Sequence, residues 1–153
     1  MKPIFIKTLI AIGALLLITA YGCGGTNLGG NTNLFFGTFE GSYNATGTPP
    51  TIGTVNPFSV DVNGNVAGTL TQQGSAVALA TLSGIVTQTN TTTGSFSGTY
   101  TPQSGGTAVT VTNATFTWVT NGNTSTLNVT FTENTTTFSL ILLPQPGSKA
   151  RPH

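Results

Sequence analysis

From Leu34 onward apolar residues recur at every second position, and no stretch carries the three-and-four spacing of an amphipathic helix. A period of two means an extended chain with one greasy and one wet side, because successive side chains of a strand point to opposite faces. In the first run Phe35, Gly37, Phe39, Gly41 and Tyr43 share one parity, while Phe36, Thr38, Glu40, Ser42 and Asn44 share the other. Similar runs occupy roughly 54–62, 65–72, 76–88, 94–101, 107–120, 124–132 and 136–143. The pattern predicts an all-β domain over residues 34–143, an antiparallel meander of about eight strands with one solvated face.

Turn residues set the expected register. Asp61-Val-Asn-Gly64 has Asp at the first and Gly at the fourth position of a type I turn, which favours a three-residue loop with Gly64 in a left-handed bulge. Val60 then faces Val66, and Phe58 faces Gly68. A two-residue turn at Asn121-Gly122 pairs Phe116 with Leu127 and Ala114 with Val129, keeping both apolar sets on one side. Around Asn134-Thr135 the expected pairs are Phe131 with Phe138 and Val129 with Leu140.

An apolar-x-Gly-x-apolar unit recurs as Phe39–Tyr43, Val66–Leu70, Leu82–Val86 and Phe96–Tyr100, each time with the glycine on the apolar parity. Glycine inside a strand marks a bend or a close approach. Repeated glycines on the inner face therefore suggest a sheet that coils until it closes. An up-and-down barrel is expected ahead of a two-sheet sandwich. Closure also removes edges that a chain with 5% charged residues has few means to protect.

The same poverty of charge narrows function. Three carboxylates (Glu40, Asp61, Glu133), one histidine and one cysteine leave little material for catalysis or metal binding. A hydrolytic triad needs a base beside its nucleophile, and the histidine is the terminal His153. Gly94-Ser-Phe-Ser-Gly98 is not a nucleophile elbow, since phenylalanine stands at its centre. Asp61-x-Asn63-x-Asn65 opens like a calcium loop, but Val66 and Gln72 stand where Gly and Glu are required, and the turn already accounts for these residues. The expectation is a non-enzyme without cofactor or metal. Nucleic acid is not an expected partner either, because no basic stripe is present. Threonine, about a fifth of the chain, fills the polar parity and takes the place of surface Lys and Glu. The six Asn-x-Ser/Thr triplets carry no further weight in so hydroxyl-rich a chain. Pro144 to His153 is expected to be a loose, disordered tail.

The beginning of the chain is an address. Lys2 and Lys7 precede an apolar run from Leu9 to Thr19, and small residues flank Tyr21 before Cys23. A charged start, a short apolar run and a small-residue cleavage site are the marks of an exported leader. Ala20-Tyr21-Gly22-Cys23 resembles a bacterial lipobox, the site at which signal peptidase II cuts before a cysteine bearing a diacylglyceryl thioether. The resemblance departs from the family pattern at Ala20, where Leu is commoner, and at bulky Tyr21. It implies a leader over 1–22, lipidation of Cys23 including palmitate-type chains, and anchoring in the cell envelope. With Gly24 rather than Asp in second place, it implies the outer membrane of a host with two membranes. Two or three acyl chains suffice for stable anchoring. Residues 23–33 then form a Gly/Asn/Thr tether, which as a coil spans about 17 Å. Processed in this way, the chain keeps Lys149 and Arg151 against its three carboxylates, a formal charge of −1.

The aromatic residues complete the expectation. Phe39, Tyr43, Phe58, Tyr100, Phe116 and Trp118 fall on the inferred inner parity. They either fill a packed core or line an apolar cavity, with Trp118 at a mouth beside Asn121-Gly122. The stretches Val60–Leu70, Leu82–Val86 and Gly94–Tyr100 resemble those of small calycin-like lipoproteins, which implies a barrel; these are turn and strand motifs and carry no chemistry that points to a ligand. The favoured function is a membrane-anchored structural or interaction module whose partner is an envelope protein or polymer. The alternative is a calycin-like binder of a small hydrophobic ligand.

Overall fold

A computed structural model describes residues 33–47, 50–146 and 148. The expected leader, Cys23, the tether up to residue 32, and Lys149 to His153 lie outside the described residues. The strands are β1 (Gly37–Ala45), β2 (Thr51–Val60), β3 (Asn65–Gln72), β4 (Ala78–Gln88), β5 (Thr93–Pro102), β6 (Val109–Thr110), β7 (Thr112–Asn121), β8 (Thr124–Glu133) and β9 (Thr136–Pro144). Neighbours in sequence pair antiparallel around the sheet, and β9 returns to pair with β1 from Phe39↔Pro144 to Ala45↔Phe138. Short β6 and long β7 together make one stave beside β5, so the described residues form a closed, eight-stranded up-and-down barrel.

The Asp61 turn behaves as its residues require. Val60 faces Val66 and Phe58 faces Gly68. Gly64 takes φ +89 and donates its N–H to the Asp61 carbonyl at 3.0 Å. Phe131 faces Phe138 and Val129 faces Leu140, again as expected.

Three expectations need correction. The β7–β8 turn is Gly122-Asn123, because Asn121 pairs with Thr124; Phe116 therefore faces Val129, and Leu127 faces Trp118. Gly122 takes φ +59, the requirement of the first central position of a II′ turn, so the glycine moves the loop one residue along. The partner shifts by two positions, and the inner face is kept. Next, the run 107–120 is broken. Thr99↔Thr110 and Thr93↔Thr117 are both paired, but between them β5 has one residue fewer than its partner, and Asn113 absorbs the excess at φ 49. Finally, β2 starts at Thr51 and bulges at Asn56-Pro57, which places the proline where no ladder N–H is needed.

All inner positions feed one core. Twenty-four apolar residues are buried in a single cluster, from Phe35 to Leu142. The glycines of the recurring unit lie in this wall. Gly84 and Gly98 face each other across β4 and β5, and the Phe96 ring lies over both. A Cβ on Gly68 would stand 2.6 Å from the Phe58 ring. The glycines make room for cross-strand rings and let neighbouring backbones close up, so both physical reasons for placing glycine there operate together.

Candidate functional site

The barrel has two poles. One carries the β2–β3, β4–β5 and β7–β8 turns together with Asn33 and Ser148; the other carries the remaining loops. The interior is two layers of rings. In the layer toward the first pole, Phe35 meets Phe116 edge-on at 5.6 Å and stacks parallel to Trp118 at 6.5 Å, while Phe39 lies 5.9 Å from Trp118. Phe58 and Phe96 approach Phe116 at 6.0 and 5.4 Å. In the other layer Tyr43 and Tyr100 flank Phe138 at 6.0 and 5.2 Å, and Phe131 stacks on Phe138 at 4.8 Å.

All six expected lining residues, Phe39, Tyr43, Phe58, Tyr100, Phe116 and Trp118, therefore point inward and are buried. They contact other rings rather than framing an opening. Trp118 differs most from expectation: it is 5% exposed, and its Nε1–H donates to the Leu34 carbonyl at 3.1 Å. The residues that cover it come from the segment ahead of β1. Asn33, taken from sequence as the last residue of a tether, is tied down. Its N–H donates to Val62 O at 3.3 Å, its Nδ2 donates to Val86 O at 3.0 Å, and its Oδ1 accepts from the Phe35 N–H at 3.0 Å. A short polar side chain satisfying backbone groups two residues on is a local turn device, the one cue by which its role could have been suspected.

Beyond β9, described residues of the expected tail bond to β1. Gln145 N–H donates to Thr38 O, and Ser148 Oγ both accepts from Thr38 N–H at 2.9 Å and donates to Thr38 O at 2.7 Å.

Polar groups in the interior are few. The Tyr43 hydroxyl is buried and has no hydrogen-bond partner, and burial raises its pKa. Tyr100 is pushed up to about 12, first by burial and then by the negative charge of Glu133 and by Tyr43. Glu133 ends β8 on the parity of Phe131, so the carboxylate stands at the rim of the second layer. Glu40 is exposed on the outer side of β1. Asp61 is engaged within its own turn, where its Oδ1 accepts from Asn63 N–H and Asn65 N–H, both at 2.8 Å.

The outer surface is hydroxylic. Thr115 and Thr130 bond through their hydroxyls at 2.7 Å, Ser83 and Thr99 at 3.2 Å, and Thr132 and Thr137 at 3.3 Å. This is the reverse of a membrane-spanning barrel, which carries an apolar band outside and polar groups within. Large apolar side chains are also exposed, Val77 and Ile85 among them; half-exposed Ile52 and Ile141 flank Ser42 and Asn44 in a groove of about 570 Å³ over β9, β1 and β2.

Fold and lining together define a closed β-barrel with an aromatic interior and a hydroxyl-bearing exterior. A comparison with known protein families found no match, and neither did searches of curated proteins and of solved structures.

Proposed function

We propose that the chain is a cell-envelope lipoprotein, acylated at Cys23, whose barrel is a non-catalytic structural or interaction module outside the cytoplasm. One observation carries the module: inner-facing rings are in mutual contact through both layers, so the aromatic residues are spent on packing. That favours a structural or interaction role over a carrier that holds its ligand in an open barrel cavity. The Ile52–Ile141 groove is the natural contact surface for an envelope protein or polymer, since it joins apolar area to neighbouring hydroxyl and amide groups. The anchor rests on the sequence: a charged start, a short apolar run and the lone Cys23 at the end of a lipobox-like tetrad.

The test is the intact mass of membrane-extracted protein after labelling with palmitate. The expected species begins at Cys23 and carries the label. Cys23→Ala is expected to give an unprocessed or unanchored product; unchanged membrane association in that variant overturns the anchor.

A further inference from the structure

The stopper at the first pole points to a site. Phe35 is fully buried, yet it belongs to no strand. It reaches the core from the described residues ahead of β1, Asn33 to Phe36, which add no rung to the barrel ladder. Gly94 leaves the room its ring needs, because a Cβ there would stand 2.6 Å from the Phe35 ring. The segment supplies two things to the barrel: a flat apolar ring against Phe116 and Trp118, and a carbonyl, from Leu34, that accepts the indole N–H.

We propose that Asn33–Phe36 is a displaceable plug, and that the seat it fills is a binding site for a planar aromatic group carrying a nearby hydrogen-bond acceptor. Withdrawing the plug breaks no strand pairing, since the ladder of β1 starts at Gly37. What withdrawal exposes is an apolar slot walled by Phe116, Trp118 and Val86, with one N–H donor directed into it. An apolar ring satisfies the walls. An acceptor beside it satisfies the indole, which would otherwise be left as a buried unpaired donor. The Leu34–Phe35 unit already has this chemistry, so the barrel is occupied by its own segment. The inference concerns residues 33–36 and their seat, and it stands whether or not Cys23 is acylated.

Two measurements on the full chain test it. In native-state hydrogen exchange, the Trp118 indole N–H and the Phe35 and Phe36 amides are expected to exchange at least tenfold faster than the amides of Leu127 and Val129, with no dependence on low denaturant. Exchange of all these groups at one rate and with one denaturant dependence overturns the plug. Phe35→Ala is then expected to bind phenylacetone, a phenyl ring with an adjacent carbonyl, saturably by Trp118 fluorescence. Binding to the unaltered chain is expected to be at least tenfold weaker. A folded Phe35→Ala chain that shows no saturable change overturns the site. If that variant does not fold, the exchange result on the unaltered chain decides.

Discussion

Gly98 shows how tightly a single position is determined. A methyl group there would run into the Ser83 carbonyl oxygen and the Phe96 ring at once. Neither neighbour can yield easily, because the carbonyl is held in the β4–β5 ladder and the ring is packed on Phe116. Gly98→Ala is expected to cost about 1–3 kcal/mol, the usual penalty of overpacking, measurable as a lower urea midpoint. The tyrosines make a second prediction at this scale. Burial, reinforced by Glu133, moves Tyr100 from 10.0 to about 12. The unfolded chain releases this proton near pH 10 while the folded barrel retains it. The contribution is therefore complete below about pH 10, and above that stability falls, by at most about 1.4 kcal/mol per pH unit, until the folded group also titrates. Tyr100→Phe is expected to flatten the decline, read as urea midpoints between about pH 9 and 12.

Among the elements, the hairpins differ in what decides them. The β2–β3 hairpin is governed locally. Asp61 accepts hydrogen bonds from the Asn65 side chain and from backbone N–H groups of its own turn, and these hold its carboxyl below the ordinary carboxylate range. Because the folded pKa is lowered, its contribution is present above the unfolded value and is lost as pH falls through the folded one. Asp61→Ala is expected to lower the melting temperature at neutral pH and to remove this part of the acid dependence, followed by circular dichroism across an acid titration. The register here was legible in advance because Asp, Asn and Gly act within a few residues of one another. The β7–β8 hairpin was legible only in parity. Asn121-Gly122 and Gly122-Asn123 both satisfy the alternation of apolar residues, and packing of Trp118 beside Leu127 goes with the second. The break at Val111 was hidden for a related reason: a bulge depends on the partner strand, and a run of alternating residues does not name its partner.

For the whole molecule, closure makes the core a single unit. Every stave contributes to the same cluster, so no hairpin can leave without opening the interior to water. Thermal unfolding followed by near-UV dichroism of the ring layers and by far-UV dichroism of the strands is expected to give coincident, single transitions. Two separated transitions would contradict a common core. The stopper is the exception at this scale, because it is buried without being part of the ladder, and alternation carries no signal for such a segment. Phe35 was readable as inward-facing. That it plugs a pole, with Asn33 and Leu34 making the polar contacts, was not.

Parity, turn residues and scarce charge were sufficient for the chain to specify strands, most of their pairings, an apolar interior and a hydroxylic exterior, since each follows from interactions between residues close in sequence. Closure, with β9 meeting β1, was expected from the inner-face glycines and the scarcity of charge; tertiary structure alone decided the register of that seam, from Phe39↔Pro144 to Ala45↔Phe138, and that Trp118 is sealed by Leu34 and Phe35. These are contacts between distant parts of the chain. Their geometry depends on how far the sheet coils, and that coiling is set by all the staves packing at once.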